Sequence, residues 1–247
     1  DDGWLDNYVY AYPILRKYNV PATIFLPTSL IGTDQWFWQD RVGYALSHYS
    51  NLVGNPERSK WGNSIIRKYP WARGIMTEAD RGNIDLAIGS CKTVREEAIR
   101  EFIADISRAL KLRFPDARML VNWQEVEEMS QHGVSFGSHS CFHKILPNLG
   151  PAEIRQEVEQ SLRALTERDI NHVPVFAYPN GSFNDEVVRH VKAAGYRAAV
   201  TTSFGYEEQS ARDRFRLRRV LVHNDISSTL SLFALHLSGL PQLSRAA

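Results

Sequence analysis

The sequence contains only two cysteines, Cys91 and Cys141, among its 247 residues. Two thiols cannot form the multiply bridged framework of small secreted domains, and neither lies in a CxxC motif. The sequence also lacks any apolar run of the roughly 18 residues that a membrane-spanning helix requires. These absences exclude a disulfide-stapled scaffold and leave the sequence without a candidate membrane span.

An excess of charge of one sign is also absent, since 29 lysines and arginines face 28 aspartates and glutamates. No basic run with interleaved aromatic residues is present, so nothing in the composition requires a nucleic-acid partner. No Gly-x-Gly-x-x-Gly follows a predicted strand, which excludes the usual dinucleotide-binding enzymes. The sequence does have apolar residues, 43% of the total, enough for one α/β barrel or two small domains.

Strand and helix patterns alternate near both ends of the chain. Short apolar runs between turn residues predict strands, and apolar residues every three or four positions predict helices. The predicted strands are residues 21–26, 134–139, 173–178, 197–202 and 217–222, and the predicted helices begin near residues 4, 122, 151, 185 and 229. Pro13 is expected to kink or divide the first helix. Such alternation indicates a parallel sheet, open or closed into a barrel.

The segment from about residue 36 to residue 120 has a different pattern. Glycines and prolines interrupt it, and its charged stretch, residues 93–112, has apolar residues at helical spacing. We interpret this segment as a largely helical insertion into the α/β pattern.

Two polar clusters predict a metal site. His139 and His143 directly follow a predicted strand, and four-residue spacing would place both on one face of a helical turn, able to converge on one cation. Asp1 and Asp2 precede the first predicted helix, whose positive end favours anions. Taken separately, the motifs could be exposed histidines and an ordinary turn. Together, at strand ends of an α/β chain, they favour metal binding.

A third cluster follows the strand that ends near Tyr178. Pro179, Asn180 and Gly181 are typical of a tight turn between a strand and a helix. The turn is structural in any case. It also makes a backbone N–H of Asn180 or Gly181 a candidate donor to a developing oxyanion, and we assign residues 178–181 to the oxyanion and substrate site.

Together these motifs resemble the polysaccharide deacetylase family, the NodB-homology domain of carbohydrate esterase family four. The family's first motif, Thr-Phe-Asp-Asp-Gly, is matched in its last three positions by residues 1–3. His139, Ser140 and His143 match the second motif, His-Ser/Thr-x-x-His. Pro179 and Gly181 match part of the third, Arg-x-Pro-x-Gly. The resemblance implies a distorted (β/α) barrel forming a single catalytic domain over residues 1–247, its first strand expected upstream of Asp1.

The resemblance also implies roles for matching residues. Asp2, His139 and His143 would bind one divalent metal, zinc by preference, which acidifies a water molecule and polarises the substrate carbonyl. Asp1 would be the general base that takes the proton of that water. Ser140 would orient the turn between the histidines.

This chain departs from the family pattern in ways that affect catalysis. Ala177 stands where the family has the arginine that orients the base, and Arg218 or Arg219 is the candidate replacement. The family's Asp-x-x-Asp-Trp motif has no match in residues 204–213. The family's proton-donating histidine is assigned to His223, which follows a predicted strand, in preference to His236, which we interpret as structural.

The resemblance implies an acetylated carbohydrate as substrate, and the leading hypothesis is removal of N-acetyl groups from a GlcNAc-containing glycan or glycoconjugate. An O-acetyl esterase acting on xylan, or a hydrolase of another amide, would use the same site. A decayed, non-catalytic glycan-binding module is the alternative from a different class. The resemblance favours a bacterial cell envelope or secreted protein, and any targeting segment is expected upstream of Asp1.

Overall fold

The computed structural model describes residues 1–207, 213–223 and 227–239. The chain divides into two compact units, one formed by Asp1–Thr33 with Leu120–Ala247 and the other by Asp34–Met119. We call them the sheet unit and the helical unit. All predicted site residues lie in the sheet unit, and the assignment of residues 1–247 to one catalytic domain stays a prediction.

The sheet unit is built on a parallel sheet whose strands pair in chain order. The strands are β1 (Ala22–Leu26), β2 (Val134–Ser138), β3 (His172–Ala177), β4 (Ala198–Phe204) and β5 (Leu217–Arg219). They confirm the predicted α/β class. Within the described residues no pairing joins β1 to β5, so these strands form an open sheet and do not by themselves close the predicted barrel.

The last strand is shorter than predicted. β5 ends at Arg219, although the apolar sequence continues to Val222. Arg219 pairs with Phe204, the last residue of β4, so the chain beyond Arg219 has no neighbouring segment of β4 to bond with. Leu221 and Val222 are accordingly 44% and 61% exposed.

Helices account for most of the remaining regular structure. In chain order they are α1 (Tyr12–Tyr18), α2 (Trp38–Ser50), α3 (Pro56–Lys68), α4 (Arg73–Asp80), α5 (Ile84–Cys91), α6 (Glu96–Leu110), α7 (Trp123–Gln131), α8 (Pro151–Thr166), α9 (Asp185–Ala193) and α10 (Leu230–Leu237). Among the described residues, no helix has both the length and the apolar composition needed to cross a bilayer.

The first helix changes type before the proline that was expected to disturb it. A π-helical segment, Asn7–Ala11, runs directly into α1. Pro13 lies in the first turn of α1, directly after the change from π- to α-helical structure, and the helical chain continues through it.

The helices around the site are specified locally, as predicted. Asn122 and Glu125 form a capping box at the start of α7, with reciprocal hydrogen bonds of 2.9 and 2.8 Å. α8 begins at Pro151 and buries Ile154, Val158 and Leu165 completely. Burial of each such side chain contributes roughly 1.5–3 kcal/mol, which holds α8 in place.

The helical unit contains α2 to α6, in agreement with the predicted helical character of this segment. α6 presents one apolar face, formed by Ile99, Phe102, Ile103 and Ile106, to the core of this unit. These are residues whose spacing predicted the helix.

Candidate metal centre

The two candidate ligand histidines lie in an irregular loop, residues 139–143, that follows β2. We call it the histidine loop. The predicted helical turn is wrong, because Ser140 and His143 have left-handed φ angles of 65° and 57°. The imidazole rings of His139 and His143 nevertheless lie side by side, with centroids 4.9 Å apart. Ser140 stabilises the bend, since its Oγ accepts the N–H of His143 at 3.0 Å.

Asp2 faces both imidazoles. Its Oδ1 lies 3.3 Å from Nε2 of His139 and 3.2 Å from Nε2 of His143. Its Oδ2 accepts the indole N–H of Trp4 at 3.1 Å, which orients the carboxylate. Gly3 permits the turn, because its φ is 66° and an added Cβ would approach a leucine methyl of β1 to 2.7 Å.

The three side chains fit a divalent cation. Their candidate ligand atoms all lie within 4.8 Å of one another. Oδ1 of Asp2 is buried and accepts no hydrogen bond from any described donor, which is costly unless a cation satisfies it. Nδ1 of His139 lies 2.7 Å from the carbonyl oxygen of Ala177. That carbonyl places the proton on Nδ1 and leaves the Nε2 lone pair free to bind a metal.

Burial and charge favour the protonation states that bind metals. Burial alone would raise the pKa of Asp2, but the facing imidazoles of His139 and His143 outweigh this effect and hold that pKa well below its usual value. Burial lowers the pKa of His143, against the opposing influence of Asp2. An anionic carboxylate and a neutral imidazole are the forms that ligate a metal.

Asp1, the chain neighbour of Asp2, is held by a bidentate ion pair. Nη1 and Nη2 of Arg219 donate to Oδ1 and Oδ2 of Asp1 at 2.8 and 2.6 Å. Nε of Arg219 donates to the carbonyl of Thr201 at 2.7 Å, so the guanidinium is anchored to β4 as well. Planar, charge-assisted pairing of this kind fixes the orientation of a carboxylate.

Arg219 therefore makes the contact that the arginine missing at position 177 was expected to make. Arg218, the other candidate, pairs with Glu207 at 3.2 Å instead. Residues 208–212, within the segment that lacks the family's Asp-x-x-Asp-Trp motif, lie outside the described residues.

Tyr178 has its polar groups engaged in structural hydrogen bonds. Its N–H donates to the carbonyl of Val200 at 3.2 Å, and its hydroxyl donates to the carbonyl of Phe215 at 2.9 Å. The side chain is buried in the core beneath the turn. The contribution of Tyr178 to the candidate oxyanion site is therefore structural.

The turn after Tyr178 narrows the choice of oxyanion donor. Pro179 has no N–H, and the N–H of Gly181 donates to the carbonyl of Tyr178 at 2.8 Å. Asn180 and Gly181 have left-handed φ angles of 57° and 65°. The N–H of Asn180 is the remaining candidate among these four residues.

Replacing Gly181 by alanine should destabilise the sheet unit. Its φ is 65°, and an added Cβ would overlap the side chain of Thr202, whose own Cβ would lie 2.8 Å away. We expect a loss of about 1–3 kcal/mol in the free energy of unfolding, measured in urea. Gly74→Ala is the matched control, because an added Cβ there meets nothing within 4 Å. If Gly181→Ala and Gly74→Ala had the same free energy of unfolding, the tight left-handed turn at Gly181 would not be required for stability.

Comparison with known proteins places these residues in context. The family model described as polysaccharide deacetylase matches residues 90–199, a stretch that contains the histidine loop and the turn at residues 179–181. YxkH of Bacillus subtilis (strain 168), whose name places it among polysaccharide deacetylases, is 23% identical over 231 residues, 93% of this chain. The resemblance to polysaccharide deacetylases is confirmed. The chain spans 52% of YxkH, about half of its length.

Two solved structures share the fold of this chain at low sequence identity. IcaB from Ammonifex degensii has a TM-score of 0.52 and 15% identity, covering 96% of this chain and 69% of that one. A de-N-acetylase from Aggregatibacter actinomycetemcomitans also has a TM-score of 0.52, with 16% identity, covering 96% of this chain and 72% of that one. These likenesses confirm the α/β fold of the chain, which it shares with both proteins.

The two histidines considered as proton donors lie after β5. His223 is exposed; its N–H donates to Oγ of Ser227 at 3.0 Å, and its carbonyl accepts from that hydroxyl at 2.7 Å. His236 packs its ring 4.9 Å from that of Phe204 and places Nε2 2.6 Å from the carbonyl of Leu221. The contacts of His236 support a structural role. None of these contacts reaches the candidate centre, so the role of His223 stays a prediction.

Sequence reasoning missed three groups that hold the site, namely the indole of Trp4, the carbonyl of Ala177 and the carboxylate of Glu157. A backbone carbonyl leaves no signal in the sequence. Glu157 did leave one, because it lies within the apolar stripe of α8, beside Ile154 and Val158. A carboxylate on the buried face of a helix requires a partner.

Proposed function

We propose that the chain is a metal-dependent hydrolase that removes N-acetyl groups from a GlcNAc-containing glycan or glycoconjugate. One observation carries the proposal. Oδ1 of Asp2 converges with Nε2 of His139 and His143, next in the chain to a carboxylate, Asp1, that Arg219 holds by two hydrogen bonds. The resemblance to polysaccharide deacetylases supports carbohydrate deacetylation as the reaction.

One carboxylate and two imidazoles form a donor set that suits zinc. Asp2, His139 and His143 would hold the cation and leave the remaining coordination positions to water and substrate. When bound, the cation would polarise the acetyl carbonyl and acidify a water molecule. The hydrogen bond from His139 to the carbonyl of Ala177 keeps one imidazole in its ligating tautomer.

Asp1 would accept the proton of the attacking water. A base must be anionic and correctly aimed, and the paired N–H groups of Arg219 favour both conditions. As the water oxygen bonds to the acetyl carbon, the carbon–nitrogen bond breaks and the departing amine takes up a proton. We assign delivery of that proton to His223.

The carbonyl oxygen of the acetyl group gains negative charge as water adds. The N–H of Asn180 is our candidate donor to that oxygen, because the left-handed turn at residues 180–181 commits the neighbouring N–H of Gly181 elsewhere. A preorganised backbone donor stabilises such a charge without rearranging during the reaction.

The proposal is tested with the purified full-length protein. Metal analysis should find about one zinc per chain. Acetylated chitooligosaccharides should release acetate and gain free amines, and chelation should stop this reaction until zinc is added back. Acetate release from acetylated xylan alone would instead indicate an O-acetyl esterase. Saturable glycan binding without zinc or turnover would indicate a decayed binding module, and both results would contradict the proposal.

Replacing Arg219 by glutamine should lower kcat while the metal stays bound. The change removes both N–H groups that aim Asp1, and misplacing a catalytic group by about 1 Å can cost on the order of a hundredfold in rate. Steady-state kinetics and metal analysis of the same preparation measure the two effects separately. Arg219→Lys should restore little, because an ammonium cannot make the bidentate contact.

The neighbouring arginine provides the matched control. Arg218 lies beside Arg219 on β5 but pairs with Glu207, and its side chain is half exposed. Arg218→Gln should therefore keep near wild-type kcat. If both variants lose activity equally, the specific contact of Arg219 with Asp1 is not the cause.

A further inference from the structure

The backbone of the histidine loop is bonded to a buried carboxylate of α8. Oε2 of Glu157 accepts the N–H groups of Cys141 and Phe142, both at 2.9 Å. These two residues lie between the candidate ligands His139 and His143. One oxygen atom therefore binds the middle of the segment that joins the two imidazoles.

The position of Glu157 is unusual for a carboxylate. The residue is 4% exposed and lies on the face of α8 that packs into the sheet unit. Its other oxygen, Oε1, lies 3.8 Å from Nζ of Lys144, the residue that follows the histidine loop. Burying a carboxylate is costly unless its oxygens are bonded, and the described partners of this side chain all belong to one short segment, residues 140–144.

The histidine loop needs such support because its backbone is strained. Ser140 and His143 both have positive φ, a conformation that is energetically unfavourable for residues other than glycine. Such residues persist only when their surroundings hold them. Cys141 and Phe142, whose N–H groups Glu157 binds, lie between the two strained positions.

The segment after β1 holds the opposite side of the loop. The N–H of Thr28 donates to the carbonyl of Ser140 at 3.1 Å, and the N–H of Ser29 donates to the carbonyl of Cys141 at 3.0 Å. The loop is thus held through its carbonyls by β1's continuation and through its N–H groups by Glu157. Losing either side would free the backbone to leave its strained conformation.

We propose that Glu157 is a positioning residue of the metal centre. Its carboxylate holds the histidine loop in the conformation that turns His139 and His143 toward Asp2. The inference rests on the proposed function in treating those histidines as metal ligands. Glu157 acts through the backbone and contacts neither the metal nor the substrate.

Two substitutions of Glu157 distinguish the effect of side-chain length from the effect of charge. Glu157→Asp keeps the charge but is one methylene shorter, so it cannot reach both N–H groups. Glu157→Gln keeps the length and one carbonyl oxygen able to accept both bonds. Two controls are Val158→Ala, which removes buried packing from the adjacent position, and Glu159→Gln, which removes a charge on the exposed face of α8.

Zinc affinity and amide hydrogen exchange at Cys141 and Phe142 are measured on each folded, full-length variant. Glu157→Asp should lower the zinc affinity by at least about tenfold, as substitution of groups that support metal ligands does. The same variant should lose protection from exchange at both amides. Glu157→Gln should lose clearly less of both, and the two controls should match wild type in both. Wild-type affinity or wild-type protection in Glu157→Asp would overturn the inference.

Failure of the proposed function gives a different result. If the wild-type protein binds no zinc, the proposed metal centre is wrong. Hydrogen exchange at Cys141 and Phe142 then remains as the test of whether Glu157 holds the histidine loop. Loss of protection in Glu157→Asp, with protection kept in Val158→Ala, would still support its hold on the loop. Unchanged protection in Glu157→Asp would reject it.

Discussion

Replacement of His139 by alanine is expected to abolish stoichiometric zinc binding and, with it, turnover. The side chain is almost fully buried, its Nε2 faces Oδ1 of Asp2, and its Nδ1 is committed to the carbonyl of Ala177. Removing a group that hydrogen-bonds to a metal ligand already costs about 10–100-fold in metal affinity, so removing the ligand itself should cost more than a hundredfold. His143→Ala should behave in the same way, since its Nε2 faces the same oxygen.

Metal analysis after dialysis, and titration with a competing chelator, measure the loss directly. His132→Ala is the matched control, because His132 is exposed and its Nδ1 bonds to the carbonyl of Glu128, away from the centre. Circular dichroism of each variant establishes that the protein is folded. Tight zinc binding by folded His139→Ala and His143→Ala would refute the ligand assignment.

Asp1→Asn is expected to lower kcat by about 10²- to 10⁴-fold, the usual contribution of a positioned general base, without releasing the metal. An amide cannot accept the proton of water, although it can keep one hydrogen bond to Arg219. Asp2, the neighbouring residue, is the carboxylate that faces both imidazoles, so metal binding should persist. Kinetics on an acetylated chitooligosaccharide and metal content of the same sample measure the two effects.

Asp6→Asn is the control for this substitution, since Asp6 is an exposed carboxylate a few residues along the chain. It should retain both activity and zinc. Loss of zinc in Asp1→Asn would mean that the two aspartates share or exchange their roles. Full activity in Asp1→Asn would remove Asp1 from the mechanism.

The sequence predicted helices and strands well where the signal depends only on residues close together in the chain. The capping box of Asn122 and Glu125 starts α7 because its two hydrogen bonds join residues three apart. The apolar spacing in α6 and α8 predicted which faces are buried, because helical geometry alone decides which residues align. The end of β5 was predicted wrongly, because a strand ends where its partner ends, and β4 stops at Phe204.

The structure brings the candidate ligands Asp2, His139 and His143 together, although not through the helical turn that the spacing of the histidines suggested. The spacing of His139 and His143 suggested a helical turn, whereas left-handed backbone at Ser140 and His143 brings the rings together. Positive φ at serine or histidine has no reliable signal in the residue type. It persists here through contacts with Glu157, Thr28 and Ser29.

By itself the sequence determined the α/β class and identified Asp1, Asp2, His139 and His143 as candidates, because residue types and predicted strand ends can be read directly from it. Only the tertiary structure decided between Arg218 and Arg219 as the partner of Asp1. Adjacent residues of a strand point to opposite faces, so the register of β5 beside β4 selects one of them. Only the tertiary structure showed that Glu157 holds the histidine loop, since hydrogen bonds between distant segments depend on how helices and strands pack.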